Sequence, residues 1–195
     1  MPQQSPAPAR PRPASPWVID TRELGRRAGL MRTYTRDVPA PEHFGIDVLG
    51  VPEGDPVHLD VRLESVVEGV LATGTATAVV RGECSRCLDP ADRELRVELT
   101  ELFAYPASAT DETTEEDEVS RIVDDLVDLE PVVRDAVILA LPSAPLCTDD
   151  CAGLCADCGE KRAELEPDHA HETMDPRWAA LRQRFGGSTA ADEGE

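Results

Sequence analysis

The chain has 195 residues and a formal net charge of -20, with 39 acidic side chains against 19 basic ones. That length suits one domain with accessories rather than two large ones, and so acidic a body repels phosphate backbones, which excludes the usual basic-face mode of nucleic-acid binding. No run approaches the roughly 18 apolar residues of a membrane span, and with only two Trp, two Tyr and three Phe the core must come mainly from Val, Leu and Ala.

Residues 1–16 are rich in Pro, Ala, Gln, Ser and Arg, a composition that buries too little apolar surface to order itself, so a disordered tail is expected. It contains no apolar stretch of the secretory kind, and a cytoplasmic protein with reduced thiols is expected. Charge is uneven along the chain: residues 1–36 hold seven Arg against Asp20 and Glu23, for +5, leaving -25 on the rest. The acid pair Asp20 and Glu23 at the head of LGRRAGL predicts a short helix ending near Gly29. VHLDVRLE, residues 57–64, alternates apolar and polar side chains with period two, the pattern of a half-buried strand. A second, longer strand is expected over 66–82, loosened by Gly69 and Gly74. A third is expected from Arg93 to Tyr105, where Leu95, Val97 and Leu99 alternate with Glu94, Arg96 and Glu98. GECSRCLDPAD between them reads as the tip of an antiparallel hairpin. DETTEEDE, residues 111–118, reads as a solvated loop. In the stretch 121–142, Pro131 suits a first helical turn and Pro142 a stop, with Val133, Val137, Ala140 and Leu141 as the stripe that covers the sheet. Asp175-Pro176-Arg177 opens a last short helix.

The fold class is therefore α+β: an antiparallel sheet, barrel-like or open, covered by a helix, with zinc-knuckle-type Cys loops and disordered termini. The expected organisation is a tail over 1–16 and a single domain over 17–185. Within the domain come a β meander (57–105), an acidic loop (106–120), a helical stretch (121–142), a Cys/His segment (143–175) and a short helix (176–185). A second tail covers 186–195.

The strongest chemical signal is cysteine. Cys84-Ser-Arg-Cys87 and Cys155-Ala-Asp-Cys158 share the spacing that lets one tight turn set two thiolates on the same ion, and Cys147 and Cys151 add a third pair. A reducing compartment disfavours disulfides. Thiol redox chemistry calls for a Cys-x-x-Cys at a helix start in a βαβ setting, which this pattern lacks. The spacings also differ from the ferredoxin runs that hold iron-sulfur clusters. Zinc is the favoured reading. His169-x-His171, downstream of Cys158, supplies two further candidate ligands, whereas His43 and His58 read as surface residues. No nucleophile elbow, phosphate-binding glycine loop or zinc-protease helix motif is present, so no enzyme and no small-molecule substrate are expected.

Taken in order, CSRCLDP after a hairpin, an acidic loop, a helix ending in LALPSAPLC, then CAGLCADCG and DPRWAALR resemble the YceD family, the large ribosomal RNA subunit accumulation proteins. The resemblance runs from about Val18 to Arg182. It implies a cytoplasmic, non-enzymatic factor that supports accumulation of large-subunit (23S) ribosomal RNA, with large-subunit precursor components, a basic ribosomal protein or 23S rRNA or both, as partners and no membrane. The family's first Cys pair falls on Cys84 and Cys87, its second on Cys147 and Cys151, and a further Gly-Leu-Cys-x-x-Cys-Gly on Cys155 and Cys158. Where many members have Cys-x-Cys, this chain has His169 and His171. One or two structural zinc ions follow. In one grouping Cys84, Cys87, Cys147 and Cys151 hold one ion, and Cys155, Cys158, His169 and His171 another. The competing grouping puts Cys147, Cys151, Cys155 and Cys158 around a single ion. An RNA-processing enzyme and a thiol or zinc redox sensor are the alternative functions.

Overall fold

The structure, a computed structural model, describes residues 14–113, 119–171, 176–178, 181 and 184. The expected tail over 186–195, most of the tail over 1–16, part of the acidic stretch and half of the expected last helix lie outside the described residues. The chain falls into two compact units, Met1–Asp149 and Asp150–Glu195. The first contains β1 (Val18–Asp20), β2 (Met31–Pro39), β3 (Phe44–Ile46), β4 (Leu49–Val51), β5 (Pro56–Ser65), β6 (Gly69–Gly82), β7 (Arg93–Ala104), α1 (Ala109–Thr113), β8 (Ser120–Arg121), β9 (Leu126–Asp128) and α2 (Glu130–Ala140). The second has 3-10 turns at Arg162–Glu164 and Pro176–Trp178 and an isolated bridge between Leu154 and Lys161.

Seven strands form one sheet in the order β2-β5-β6-β4-β3, with β7 also pairing β6 and, in parallel, β8. All its other pairings are antiparallel, and among the described residues none closes the curled sheet into a barrel. The period-two pattern of β5 produces its burial: Val57, Leu59, Val61 and Leu63 are at most 1% exposed. Leu59, Val61 and Leu63 stand in register with Ala76, Gly74 and Ala72 of β6, whose Ala78, Ala76 and Gly74 stand in turn opposite Leu95, Val97 and Leu99 of β7. Gly74 lies within the continuous strand rather than breaking it. A Cβ there would sit 2.1 Å from the Asp60 carbonyl oxygen, so the close approach of β5 requires glycine.

β1 and β9 form a separate two-stranded ladder. The indole of Trp17 donates to the Pro39 carbonyl at 3.0 Å and its ring tilts against Phe44 at 5.6 Å. Helix α2 lays Val133 and Val137 on the core, packing against β7 and β3. Arg134 fastens it, donating to the His43 carbonyl at 2.6 Å and to Glu130 at 2.9 Å.

Two sequence expectations are corrected by local geometry. The stretch 121–142 is not helical throughout. Asp124 and Asp125 both take positive φ (56° and 61°) between the bridged Val123 and Leu126, a two-residue turn of the hairpin kind that Asp tolerates. The helix begins only at Glu130, whose N–H is accepted by Asp128 Oδ1 at 3.0 Å. It ends at Ala140, which is exposed and so drops out of the expected stripe, while Leu141 is buried at the C-cap. The short helix expected after Asp20 is a series of turns. Asp20 Oδ1 accepts the Arg22 N–H at 2.9 Å, and Gly25 and Gly29 adopt φ of 71° and 89°, which ends any helical run.

Candidate metal centres

The hairpin between β6 and β7 closes with an isolated bridge between Glu83 and Pro90. Within it the Cys84 N–H donates to the Asp89 carbonyl at 2.7 Å and the Leu88 N–H to the Cys84 carbonyl at 2.9 Å. The backbone is thereby folded so that Cys84 and Cys87, both buried, turn their sulfurs the same way. The stretch after α2 is held against this tip by Ser85, whose N–H and hydroxyl both donate to the Pro145 carbonyl at 2.8 and 3.0 Å. That pair of hydrogen bonds delivers Cys147, whose Sγ lies 3.5 Å from Cys87 Sγ. With Cys151, the sulfurs of Cys84, Cys87 and Cys147 all lie within 4.8 Å of one another. Burial acts to raise the Cys84 thiol, but the N–H groups of Cys147, Arg86 and Cys87 and the Cys87 thiol overcome it and bring it down to about 6. The site favours the thiolate that a metal needs.

The smaller unit repeats the same backbone. The Cys155 N–H donates to the Glu160 carbonyl at 2.7 Å and the Gly159 N–H to the Cys155 carbonyl at 2.9 Å, so the two Cys-x-x-Cys turns match bond for bond. Here the left-handed position after the second Cys is Gly159 (φ 76°), whereas in the first turn it is Leu88 (φ 64°). His169 Nε2 lies 3.6 Å from Cys158 Sγ and 2.8 Å from His171 Nε2, and the donor atoms of Cys155, Cys158, His169 and His171 lie within 4.8 Å of one another. The N–H groups of Cys158 and Asp157, with the His169 ring, pull the Cys155 thiol down to about 6 against burial. Cys155 is buried while Cys158, His169 and His171 are exposed.

Both sets fit a tetrahedral ion. Zn–S bonds of about 2.3 Å and Zn–N bonds of about 2.0 Å place sulfurs about 3.8 Å apart, a sulfur and a nitrogen about 3.5 Å apart and two nitrogens about 3.3 Å apart. The Cys158–His169 distance of 3.6 Å lies at the sulfur–nitrogen value, whereas the Cys87–Cys147 sulfurs at 3.5 Å and the His169–His171 nitrogens at 2.8 Å are closer than an ion would set them, so each pair would part slightly on binding. Cys147 and Cys151 are grouped with Cys84 and Cys87 rather than with Cys155 and Cys158. None of the six cysteines is in a disulfide. His58 is paired with Asp37 at 2.8 Å and His43 is an exposed loop residue at φ 54°; neither enters a donor set. The Ser85–Pro145 tie went unnoticed in the sequence because hydroxyls and carbonyls carry no spacing signature. The contrast of CSRCL with CADCG was visible there, and it points to Leu88.

Fold and donor sets together define an open-sheet protein bearing two metal-competent Cys-x-x-Cys turns. The family described as "Large ribosomal RNA subunit accumulation protein YceD" matches residues 72–183, and the chain belongs to that family. It is also similar to the uncharacterized proteins Rv2926c of Mycobacterium tuberculosis and Mb2951c of Mycobacterium bovis, each 50% identical over 93% of this chain and 87% of the relative. The uncharacterized protein ML1660 of Mycobacterium leprae is 47% identical over 86% of this chain and 76% of its own length. No solved structure matches. No helix among the described residues is long and apolar enough to cross a membrane.

Proposed function

We propose that this protein is a non-enzymatic cytoplasmic factor that supports accumulation of 23S ribosomal RNA, its two donor sets each holding a structural zinc ion. The observation that carries the reading is its membership of a family described by large ribosomal RNA subunit accumulation. Two chemical features support the finer parts. A set of four protein donors fills a tetrahedral ion and leaves no position for a substrate or an activated water, which suits a structural metal rather than a catalytic one. A chain of net charge -20 is complementary to basic proteins and meets them quickly at low salt, which favours a basic ribosomal protein, alone or already on 23S rRNA, as the partner. Depleting the protein in its host and comparing 23S with 16S rRNA tests the reading. The expected result is a selective fall in 23S rRNA. Equal levels of both, or cleavage of precursor rRNA by the purified protein, would sink it.

A second reading, a thiol or zinc redox sensor, draws on the smaller unit, where Cys158 is exposed and the Cys155 thiol is lowered to about 6. Zinc release under mild peroxide, with full recovery on reduction, is its expected mark; retention of all zinc would remove it.

A further inference from the structure

The two Cys-x-x-Cys turns have the same hydrogen bonds but differ at one residue. Gly159 occupies the left-handed position in the second at no steric cost, and a Cβ built on it would have open space around it. Leu88 occupies that position in the first at φ 64°, where a branched side chain is disfavoured. The side chain is not compensated by burial, for Leu88 is 62% exposed. A strained, exposed leucine at a place where glycine serves equally well contributes nothing to the turn itself, and strain of this kind marks places of function.

Leu88 stands on the wall of a groove of about 390 Å³ whose other apolar surfaces come from Ile46, Val48, Leu49 and Pro145. Val48, at the tip of the β3–β4 hairpin, is itself 48% exposed. The groove's rim carries Asp47 and Glu83, whose carboxylates make no hydrogen bond or ion pair among the described residues. Among the described residues the one cation on the rim is Arg81, which is taken by Asp55 at 3.1 Å, with Asp92 4.0 Å away. The groove therefore offers apolar surface inside and uncompensated negative charge at the edge. RNA finds neither phosphate contacts nor an aromatic platform there, and a second copy of a chain of net charge -20 is repelled.

We infer that this groove docks a basic protein segment, seating one of its apolar side chains against Leu88 and Val48 while a neighbouring Lys or Arg meets Asp47 and Glu83. The inference rests on the functional reading above, in which the partner is a basic large-subunit protein, and it adds where that partner is held. Leu88 acts as an interface anchor, the kind of residue in which binding energy concentrates.

The test uses the full, zinc-loaded chain and, as probes, the individually purified basic proteins of the large ribosomal subunit, titrated at low and at high salt. Leu88→Gly relieves the backbone strain, so its zinc content should be unchanged and its Tm equal or higher. Its affinity for the bound protein should nevertheless fall about tenfold or more. Leu88→Asn, also tolerant of left-handed backbone, should behave alike. Wild-type binding that Leu88→Gly leaves intact would overturn the groove and spare the functional reading. Binding of none of the proteins by wild type would overturn both. Loss of zinc or of folding in Leu88→Gly would make Leu88 a structural residue, and loss of a wild-type self-association would replace the basic partner with a second copy.

Discussion

Replacing Cys87 by Ser tests the grouping of the thiols most directly. Cys87 and Cys147 are 60 positions apart in sequence, with their sulfurs 3.5 Å apart, so an ion held between them closes a loop of that length. Chain entropy values such a closure at about 4 kcal/mol. For a chain of this size each kcal/mol corresponds to about 2–4 °C in Tm, so removing the tie should lower the main transition by roughly 10 °C. Metal analysis should find two zinc ions per wild-type chain and one in Cys87→Ser after a mild chelator wash, and calorimetry should report the fall in Tm. A variant that keeps its full metal complement and its Tm would refute the grouping, because an ion bound only by Cys147, Cys151, Cys155 and Cys158 would not involve Cys87.

Three further outcomes follow from other parts of the structure. His169→Ala should likewise lose one zinc per chain, but with the main thermal transition retained, since the ion it releases belongs to the smaller unit; metal analysis paired with calorimetry checks this. Gly74→Ala should destabilise the chain by about 2–3 kcal/mol in urea unfolding, because its Cβ would meet the Asp60 carbonyl at 2.1 Å. The Arg22 side chain and N–H hold the Asp20 carboxyl at about 2, against about 4 in an unfolded chain. Because the folded value is depressed, the stabilisation is complete above about pH 4 and is lost as pH falls through about 2. An NMR titration of Asp20 should show its midpoint near 2 and a shift toward the ordinary value in Arg22→Ala.

Legibility in the sequence followed the strength of the local pattern. β5, β6 and β7 were readable because one face of each meets the core and the other meets water, so period two is written into VHLDVRLE and RELRVEL. β2 escaped notice because MRTYTRDVP lies at the sheet edge and buries only Val38, leaving little apolar alternation to detect. VSRIVDDLVDLE looked helical because short apolar runs suit either period; what decides it is the Asp124–Asp125 turn, which only backbone geometry reveals. All eight candidate ligands could be named in the sequence, four from Cys-x-x-Cys spacing, Cys147 and Cys151 as a wider pair and two from the downstream histidines, while their grouping came from the family resemblance; the structure brings their donor atoms into two sets of four. The groove beside Leu88 was not legible, since its walls come from the β3–β4 hairpin, the end of β6 and the segment after α2.

The β1–β9 ladder has a consequence for the order in which the protein can be made. Val18 pairs with Asp128, and the Trp17 carbonyl accepts the Leu129 N–H at 3.1 Å. β1 therefore waits for all of β2 to β8 to be made before its partner exists. Throughout that interval Ile19, 3% exposed in the finished fold, lacks its partner Val127 on the nascent chain. A chain stopped before β9 would carry its β5–β7 meander but leave this end of the core open, so emergence of β9, rather than formation of the meander, sets the moment at which the fold closes.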